Sequence, residues 1–445
     1  MTEWSSTQQA AAILLPLSDP YVGIARREYM KLRDVDDILA HSIGAHGTDS
    51  SLLFGVPGNT YNGGGSPDLT SARLAAIGET VERYSAAYAP IDSATVRHGT
   101  GYDLRRELDL LGPDDFEMFA DHQYDNPEFS YEPWTDDLPL WWRQGNDATT
   151  GAAVWAPAQL IHMAGQWRNE PAIGYATSNG LACGITHIEA ALSGLFEVVE
   201  RDGFMLTWYN RLSLPQIEVT SSPVLHNYVK RHFAPTGLDI HLVDMSIFTG
   251  VPAVLAVVRS RTSMLAPFAI GAASAATVER ACIKAATEAM YTRTWMKTEQ
   301  RDGRTIRDTT NLPETLRTFE DHIRLYAGTA LVAEADFLTA NPDRRDVAEL
   351  PSFDDRQPDR LWQSLVKHLT QQGHRIITFD LTSPDIREAG AHVVKTLATG
   401  LRPLDASYAA RFMGGQRLLA HAHRLGLCQQ PFEVEQLNQT PHPFP

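Results

Sequence analysis

The hydrophobic and polar positions along the chain follow two repeat lengths. Apolar residues recur at helical spacing over residues 71–88, 187–206 and 277–297, which predicts helices there. Short runs rich in β-branched residues predict strands. These runs are 152–164, 172–178, 217–219, 238–243, 251–259, 267–273, 376–381 and 392–397. The alternation of the two patterns predicts one large α+β domain.

Other parts of the chain carry weaker patterns. Asp34–His46 has the spacing of an amphipathic helix, whereas residues 56–66 are rich in glycine and asparagine and predict a loop. Residues 100–150 are acidic and rich in tryptophan and proline, which favours loops and short strands. Residues 308–372 are polar and mostly helical in pattern. None of these stretches carries a recognisable catalytic motif.

The most informative stretch is a glycine-rich turn that runs into the helix at residues 187–206. Thr186 is suited to cap this helix, and Glu189 three residues later completes a capping box. At about 100° per residue, Glu189, Glu197, Glu200 and Arg201 fall on one stripe. The other sides of the helix are largely apolar, which is typical of a buried helix. Buried carboxylates must be paired or bind a cation.

Part of this stripe occurs a second time. Glu79–Arg83 repeats the Glu-x-x-Glu-Arg pattern of Glu197–Arg201, and Lys284–Glu288 is a looser third version. Each motif alone is equally typical of a solvated helix flank or an ordinary ion pair four residues apart. Their recurrence favours a different prediction, in which three helices converge their carboxylates on one cavity.

Composition narrows the functional classes. The chain has 445 residues and a formal net charge of −16, which disfavours binding to nucleic acids or anionic membranes. Its three cysteines lie far apart and lack zinc-site spacing, so we expect a reduced, cytoplasmic protein. No stretch reaches the roughly 20 apolar residues of a membrane span. P-loop, kinase and nucleophile-elbow motifs are also absent from the sequence.

Two segments in the right order resemble the YcaO family. They are Ala-Ile-Gly-Glu-Thr-Val-Glu-Arg-Tyr-Ser, which contains Glu79, and the stretch from Ser178 through Glu189 to Asp202. The end of the chain, Pro441-His-Pro443-Phe-Pro445, is similar to the PxPxP tail of the azoline-forming members. The resemblance covers roughly residue 55 to the C-terminus. It implies an α+β YcaO-type fold with mixed or antiparallel sheets and helices that carry a carboxylate-lined ATP and Mg²⁺ site.

The resemblance also implies a domain plan. A YcaO domain would occupy residues 56–445 and include the tail at 441–445, and an N-terminal segment, 1–55, would pack on it. That segment leaves little room for the winged-helix peptide-recognition module of some family members. We therefore expect a separate partner to bind the leader peptide.

The resemblance assigns roles to individual residues, with ATP and Mg²⁺ as cofactors. Four residues are predicted to contact ATP, and six carboxylates to bind Mg²⁺. The ATP contacts are Arg201, Lys284, Glu82 and Glu200; the metal ligands are Glu79, Glu82, Glu189, Glu197, Glu200 and Glu288. Pro441, Pro443 and Pro445 are the catalytic tail, whose terminal carboxylate would enter the active site. This sequence departs from the family at Gly65, where a lysine is often found, and at Ala182 and Ile185.

The implied reaction is an ATP-dependent cyclodehydration of a ribosomal precursor peptide. A Cys thiol, or a Ser or Thr hydroxyl, attacks the preceding amide, the amide oxygen is phosphorylated, and elimination of phosphate leaves a thiazoline or oxazoline. Two alternatives stay open: a family member that forms a macroamidine or a thioamide, and a nucleotide-binding scaffold without catalysis. The expected partners are the precursor peptide, a ubiquitin-activating-enzyme-like or ThiF-like leader-binding protein, a downstream dehydrogenase and a second copy of the chain.

Overall fold

The computed structural model of the chain describes residues 3–51, 55, 60–90, 94–163, 167 and 170–444. The strands in chain order are β1 (Ala25–Lys31), β2 (His41–Gly47), β3 (Tyr61–Ser66), β4 (Val96–Thr100), β5 (Pro139–Asp147), β6 (Ala153–Pro157), β7 (Leu181–Gly184), β8 (Gln216–Ile217), β9 (Leu238–Asp244), β10 (Ala253–Ser260), β11 (Phe268–Ser274), β12 (Arg344–Arg345), β13 (Ile376–Asp380) and β14 (His392–Ala398). This mixture of strands with many helices confirms the predicted α+β class.

The α-helices are interspersed with these strands. In chain order they are α1 (Thr7–Leu14), α2 (Leu69–Ala87), α3 (Gly101–Leu104), α4 (Pro113–Phe116), α5 (Asp121–Tyr124), α6 (His187–Tyr209), α7 (Pro223–His232), α8 (Val278–Arg301), α9 (Leu312–Thr315), α10 (Phe319–Ala327), α11 (Pro358–Gln371), α12 (Pro384–Ala389) and α13 (Gln416–Arg424). Within the described part of the chain, no helix has the length and apolar character needed to cross a membrane.

The chain divides into two compact units. The first comprises Met1–Met30, His41–Val198 and Asp355–Leu401, and the second comprises Lys31–Ala40, Val199–Asp354 and Arg402–Pro445. Both units are therefore assembled from discontinuous segments, and the division along the chain falls within α6.

The first unit contains two sheets. One has the strand order β1-β2-β3, and the other has the order β4-β5-β13-β14-β7, with β6 paired to β5. Helix α2 packs closely on β3, since a Cβ on Gly64 would lie 2.5 Å from the carbonyl oxygen of Ala72. The apolar stripe of α2 also joins a core with the second sheet, where Ile77 and Val81 pack together with Phe379. Apolar contacts thus hold helix α2 in place.

The second unit is built on one sheet of order β11-β10-β9-β8-β12. Its pairs are antiparallel apart from the parallel β12–β8 pair. Helix α8 lies on β11 at unusually short distance, because a Cβ on Gly271 would stand 2.2 Å from the backbone nitrogen of Ala289. Near the end of α8, the fully buried Arg293 forms ion pairs with Asp36 and Asp37. The close packing on β11 and these ion pairs together fix the position of α8.

Several local expectations are confirmed and several are wrong. The three main predicted helices correspond to α2, α6 and α8, and the predicted strands after residue 211 coincide with β8–β11, β13 and β14. The predicted helix at Asp34–His46 is wrong, because β2 begins at His41. Residues 172–178 form no strand. In the predicted loop at 56–66, residues 61–66 form β3, and residues 56–59 lie outside the described residues.

The close approach of α8 to β11 gives a first prediction. Gly271→Ala should lower the free energy of unfolding by about 3 kcal/mol, because the new methyl group collides with the α8 backbone, which cannot move aside cheaply. Urea unfolding followed by circular dichroism measures the change. Gly78→Ala is the matched control, since its Cβ would meet only Cys183 at 3.9 Å, and it should be neutral or slightly stabilising. Equal stability of the two variants would contradict the packing argument.

Candidate active site

The start of α6 is fixed by the predicted capping box. The backbone N–H of Glu189 donates to Thr186 Oγ1 at 3.3 Å, and the N–H of Thr186 donates to Glu189 Oε2 at 3.1 Å. The same carboxylate also accepts from the backbone N–H of Ser5 at 2.5 Å and from its hydroxyl at 3.0 Å. Glu189 therefore closes the helix and holds the N-terminal segment. Its role as a metal ligand stays a prediction, and it would require Ser5 to move.

Helix α2 presents Glu79, Glu82 and Arg83 within the first unit. Glu79 accepts from the backbone N–H of Gly63 at 2.7 Å and from Arg83 Nη2 at 3.2 Å. Glu82 accepts from the N–H of Cys183 in β7 at 2.9 Å, and its other oxygen lies 3.8 Å from Arg83 Nη1. The hydrogen bond from Cys183 to Glu82 links this motif to β7, the strand that leads into α6. The structure thus joins two sequence motifs that are a hundred residues apart.

The glycine-rich turn before β7 positions Glu197. Gly180 has φ +76°, and a Cβ there would lie 2.0 Å from the carbonyl oxygen of Thr396, so no other residue fits without rearrangement. Its backbone N–H donates to Glu197 Oε2 at 3.2 Å. The turn therefore places a backbone donor on a carboxylate of α6.

Glu79, Glu82 and Glu197, together with Arg83 and Lys395, form a group that we name the carboxylate cluster. Burial, together with the negative charges of Glu79 and Glu197, raises the pKa of Glu82 to about 8, while Arg83 and the N–H of Cys183 oppose the shift. Burial lowers the pKa of Lys395 to about 8, although the charge of Glu197 works in the opposite direction. Three carboxylates and two cations thus act on one another in a buried setting, where unbalanced charge is costly.

This cluster fits a bound cation. Mg²⁺ takes oxygen ligands and commonly uses one or two protein carboxylates, with phosphates and water completing its shell. Within the described residues of either unit, no three of the predicted carboxylates have ligand atoms within 4.8 Å of one another. Burial and, to a smaller extent, the charges of Glu79 and Glu197 nevertheless raise the pKa of Glu82, and added positive charge would oppose both effects. The chemistry of these residues therefore suits a cation that also binds phosphate.

One acidic group among the described residues does have its ligand atoms within 4.8 Å of one another. It consists of Asp34, Asp36 and Asp37. Lys297 Nζ lies 2.6 Å from Asp36 Oδ1 and 2.7 Å from Asp37 Oδ1, and Arg293 also pairs with both residues. Arg301 pairs with Asp34 at 2.8 Å, so three cations neutralise the three carboxylates without a metal, and the group serves to anchor α8.

The predicted residues of the second unit are placed as follows. Glu200 is 9% exposed, and its Oε1 lies 3.0 Å from Arg201 Nε. The Arg201 guanidinium lies over the ring of Phe444, 4.3 Å from its centroid. On α8, Glu288 Oε2 accepts from the N–H of Ala272 in β11 at 3.1 Å, whereas Lys284 is exposed. Glu200, Arg201 and Glu288 are thus held by protein contacts, and the ATP and metal roles predicted for this set stay predictions.

The proline tail is built into the second unit. Pro441 to Phe444 are buried, and Phe444 is completely inaccessible to solvent. Pro445 lies outside the described residues, so the position of its carboxylate stays a prediction. The catalytic roles of Pro441 and Pro443 are likewise predictions.

Sequence reasoning missed two members of the carboxylate cluster. Arg83 belongs to the quoted motif but received no role, although it contacts both Glu79 and Glu82. Lys395 lies in β14, which reads as an ordinary apolar strand; it is 5% exposed, and its Nζ donates to the carbonyl of Thr177 at 2.7 Å. A lysine in the middle of a buried strand was the available signal.

Comparison with known proteins identifies the family. Residues 63–402 match the family described as YcaO cyclodehydratase, ATP- and Mg²⁺-binding. The chain belongs to the YcaO family. This match confirms the predicted resemblance and the predicted cofactors, ATP and Mg²⁺.

Curated relatives of this YcaO chain match over part of their length. An uncharacterized protein of Methanothermobacter thermautotrophicus is 29% identical over 195 residues, which are 42% of this chain and 45% of that protein. The match therefore spans less than half the length of the relative.

Solved structures share the YcaO fold. A structure described as a heterocyclase in complex with substrate and cofactor has a TM-score of 0.80 and 22% identity, and covers 99% of this chain and 57% of that chain. YcaO from Methanopyrus kandleri, bound with AMPPCP and Mg²⁺, has a TM-score of 0.62 and 20% identity, over 89% and 91% of the two chains. The E. coli Microcin synthetase McbBCD complex with pro-MccB17 bound has a TM-score of 0.55 and 13% identity, over 86% and 89%.

The charges of the carboxylate cluster predict a pH-dependent stability. The pKa of Glu82 rises on folding from 4.5 to about 8, so its contribution is fully present below pH 4.5 and is lost as the pH rises through 8. The loss is at most about 5 kcal/mol. In a chelator, chemical unfolding across this interval should show falling stability, and Mg²⁺ should restore it at the alkaline end.

Two glutamine variants test this assignment. Glu82→Gln should remove both the pH dependence due to this group and most of the response to Mg²⁺. Glu170→Gln is the control, because burial also raises the pKa of Glu170, to about 7, but this side chain accepts its hydrogen bond from Trp141 and has no part in the carboxylate cluster. Glu170→Gln should change the pH profile and keep the Mg²⁺ response. An unaltered Mg²⁺ response in Glu82→Gln would overturn the assignment.

Proposed function

We propose that this YcaO protein is an ATP-dependent cyclodehydratase of a ribosomal precursor peptide. It converts Cys residues to thiazolines, or Ser and Thr residues to oxazolines. The observation that supports this proposal best is the contact between the buried proline tail and Arg201, on which Phe444 packs. A tail of the azoline-forming type whose Phe444 packs on a predicted nucleotide-binding arginine favours this reaction over macroamidine or thioamide formation.

The residues of the chain divide the work of the reaction. When bound, ATP would supply the phosphoryl group that turns a poor leaving oxygen into a good one, and Mg²⁺ would offset the charge of the phosphates. In the first unit, Glu79, Glu82 and Glu197 would hold the cation, while Arg83 limits the repulsion among them. The chain therefore contributes position and charge, which are the main protein contributions to phosphoryl transfer.

The second unit would contribute further groups. Arg201 and Lys284 would neutralise phosphate charge, and Glu200 and Glu288 would bind Mg²⁺. Phe444 covers one face of the Arg201 guanidinium, which limits the directions from which phosphate can approach it. Arg201 is therefore held in one orientation before the substrate binds, which lowers the ordering cost at the reacting centre.

The peptide substrate and the partner proteins are also proposals. The likeness to the McbBCD complex with pro-MccB17 bound supports a peptide substrate and an assembly with other proteins. We propose that a ubiquitin-activating-enzyme-like or ThiF-like protein presents the leader peptide, that a dehydrogenase acts afterwards and that the chain forms a homodimer.

Mass spectrometry of a candidate precursor peptide tests the reaction. The peptide would be incubated with the protein, ATP, Mg²⁺ and the leader-binding partner, and we expect loss of one water per modified residue. Adding one glycine after Pro445 should reduce product by about 100-fold, because it displaces the terminal carboxylate and leaves the buried residues 441–444 in place. Water loss that joins the N-terminal amine to an internal amide would instead indicate a macroamidine, and exchange of oxygen for sulfur a thioamide.

A substitution on α6 tests the role of the recurring Glu-x-x-Glu-Arg pattern. Glu200→Gln should reduce product by at least about 100-fold, because it keeps the shape of the side chain and removes its negative charge. Glu334→Gln is the control, since Glu334 is a half-exposed partner of Arg211. Normal product from Glu200→Gln would show that this part of α6 has another function.

A further inference from the structure

The C-terminal tail is held through its carbonyl oxygens. Trp208 Nε1 donates to the carbonyl of Thr440 at 2.9 Å, and the Tyr326 hydroxyl donates to that of Pro441 at 2.7 Å. His322 Nδ1 lies 2.8 Å from the carbonyl of His442. Proline has no N–H, so carbonyls are the main polar groups that a proline-rich segment can offer. Three consecutive carbonyls are therefore each matched by a different buried side chain.

His442 adds a second set of contacts. Its Nδ1 accepts from the backbone N–H of Phe444 at 3.3 Å, which assigns the ring proton to Nε2, and Nε2 donates to the carbonyl of Asp405 at 2.8 Å. The ring stacks on that of His322, with centroids 4.1 Å apart and planes at 11°. Asp405 is itself fixed by the hydroxyl of Tyr209 at 2.7 Å. The middle of the tail thus fills a specific buried position.

His322 has a defined protonation state in this arrangement. Its second ring nitrogen, Nε2, faces the carbonyl of Ala406 at 3.0 Å, so both nitrogens meet acceptors. Burial lowers the pKa of His322 to about 4, and the neutral ring that results carries a single N–H. The shorter contact places this proton on Nδ1, where it donates to His442.

We propose that Trp208, His322 and Tyr326 are positioning residues, a tail clamp that holds the C-terminal tail against Arg201. This inference rests on the proposed function, because the clamp positions the tail for peptide modification. It assigns roles to α6 and α10 that neither the family motif nor the tail sequence contains. The clamp acts through Phe444, which follows the clamped carbonyls and carries the contact with Arg201. Loss of the clamp releases the tail and the contact with Phe444, whereas the ion pair with Glu200 still holds Arg201.

Matched variants separate the clamp from general stability. Tyr326→Phe removes one hydroxyl and retains the ring, and His322→Leu removes the donor to His442. His322→Asn is the conservative rescue, because its side-chain amide can donate from nearly the position of Nδ1. Tyr228→Phe is the control, since it removes a hydroxyl that contacts Thr287 elsewhere in the same unit.

The first measurement is hydrogen–deuterium exchange of the full-length protein, which requires no substrate. In Tyr326→Phe/His322→Leu, amides of residues 438–444 should exchange at least about tenfold faster, while binding of a non-hydrolysable ATP analogue with Mg²⁺ is unchanged. In the single variants His322→Asn and Tyr228→Phe, the same amides should exchange at the wild-type rate. Unchanged tail exchange in the double variant would overturn the clamp.

The second measurement is product formation from the precursor peptide. The double variant should lose about tenfold in kcat for product with an unchanged KM for ATP, and His322→Asn should recover most of it. A freed tail with normal kcat would overturn the positioning role. A wild-type protein that makes no product would contradict the proposed function alone, because the exchange measurement still decides whether the clamp holds the tail.

Discussion

The arrangement of the first unit depends on the cost of burying like charges together. Glu82 is 18% exposed at its side chain, close enough to Glu79 and Glu197 for each to raise its pKa. Arg83 and Lys395 supply two positive charges for these three carboxylates. Without a further cation, a proton on Glu82 balances the remaining charge. A proton on Glu82 and a bound metal cation would therefore offset the same negative charge. In either case, backbone N–H donors keep the carboxylates in place.

The parts of the fold that follow local rules were predictable. The capping box at Thr186 and Glu189 was expected from residue types three positions apart, and the structure contains both of its hydrogen bonds. The long helices were also expected, because an apolar stripe at helical spacing requires no knowledge of the partner surface. The glycine-rich segment at residues 56–66 was a misleading signal, because its residues 61–66 form β3. Gly64 is needed for the close packing of α2, so glycine there marks a tertiary contact where the sequence suggested a loop.

The residues of the candidate site were likewise predictable where local sequence identifies them, and were missed where tertiary contacts do. Glutamates were found because they recur in similar helical motifs, and the recurrence is visible in one dimension. Lys395 was missed because its importance arises from strand pairing: β14 pairs with β7 in a register that sets Lys395 opposite Leu181, close to the start of the central motif. Such pairing is not encoded in the composition of either strand. The engagement of Glu189 by Ser5 was unpredictable for the same reason, since the two residues are far apart in sequence.

The tail shows how a weakly informative sequence acquires a fixed structure. A proline-rich end has few donors and cannot form a helix or a central strand, so its composition alone indicates disorder. The same prolines restrict the unfolded chain, so less conformational entropy is lost when the segment becomes ordered. A few donors then suffice to hold it, provided that they match the carbonyls in sequence. Trp208, Tyr326 and His322 meet this condition at three successive carbonyls. Their spacing along the tail, rather than the proline pattern itself, determines where Phe444 is placed.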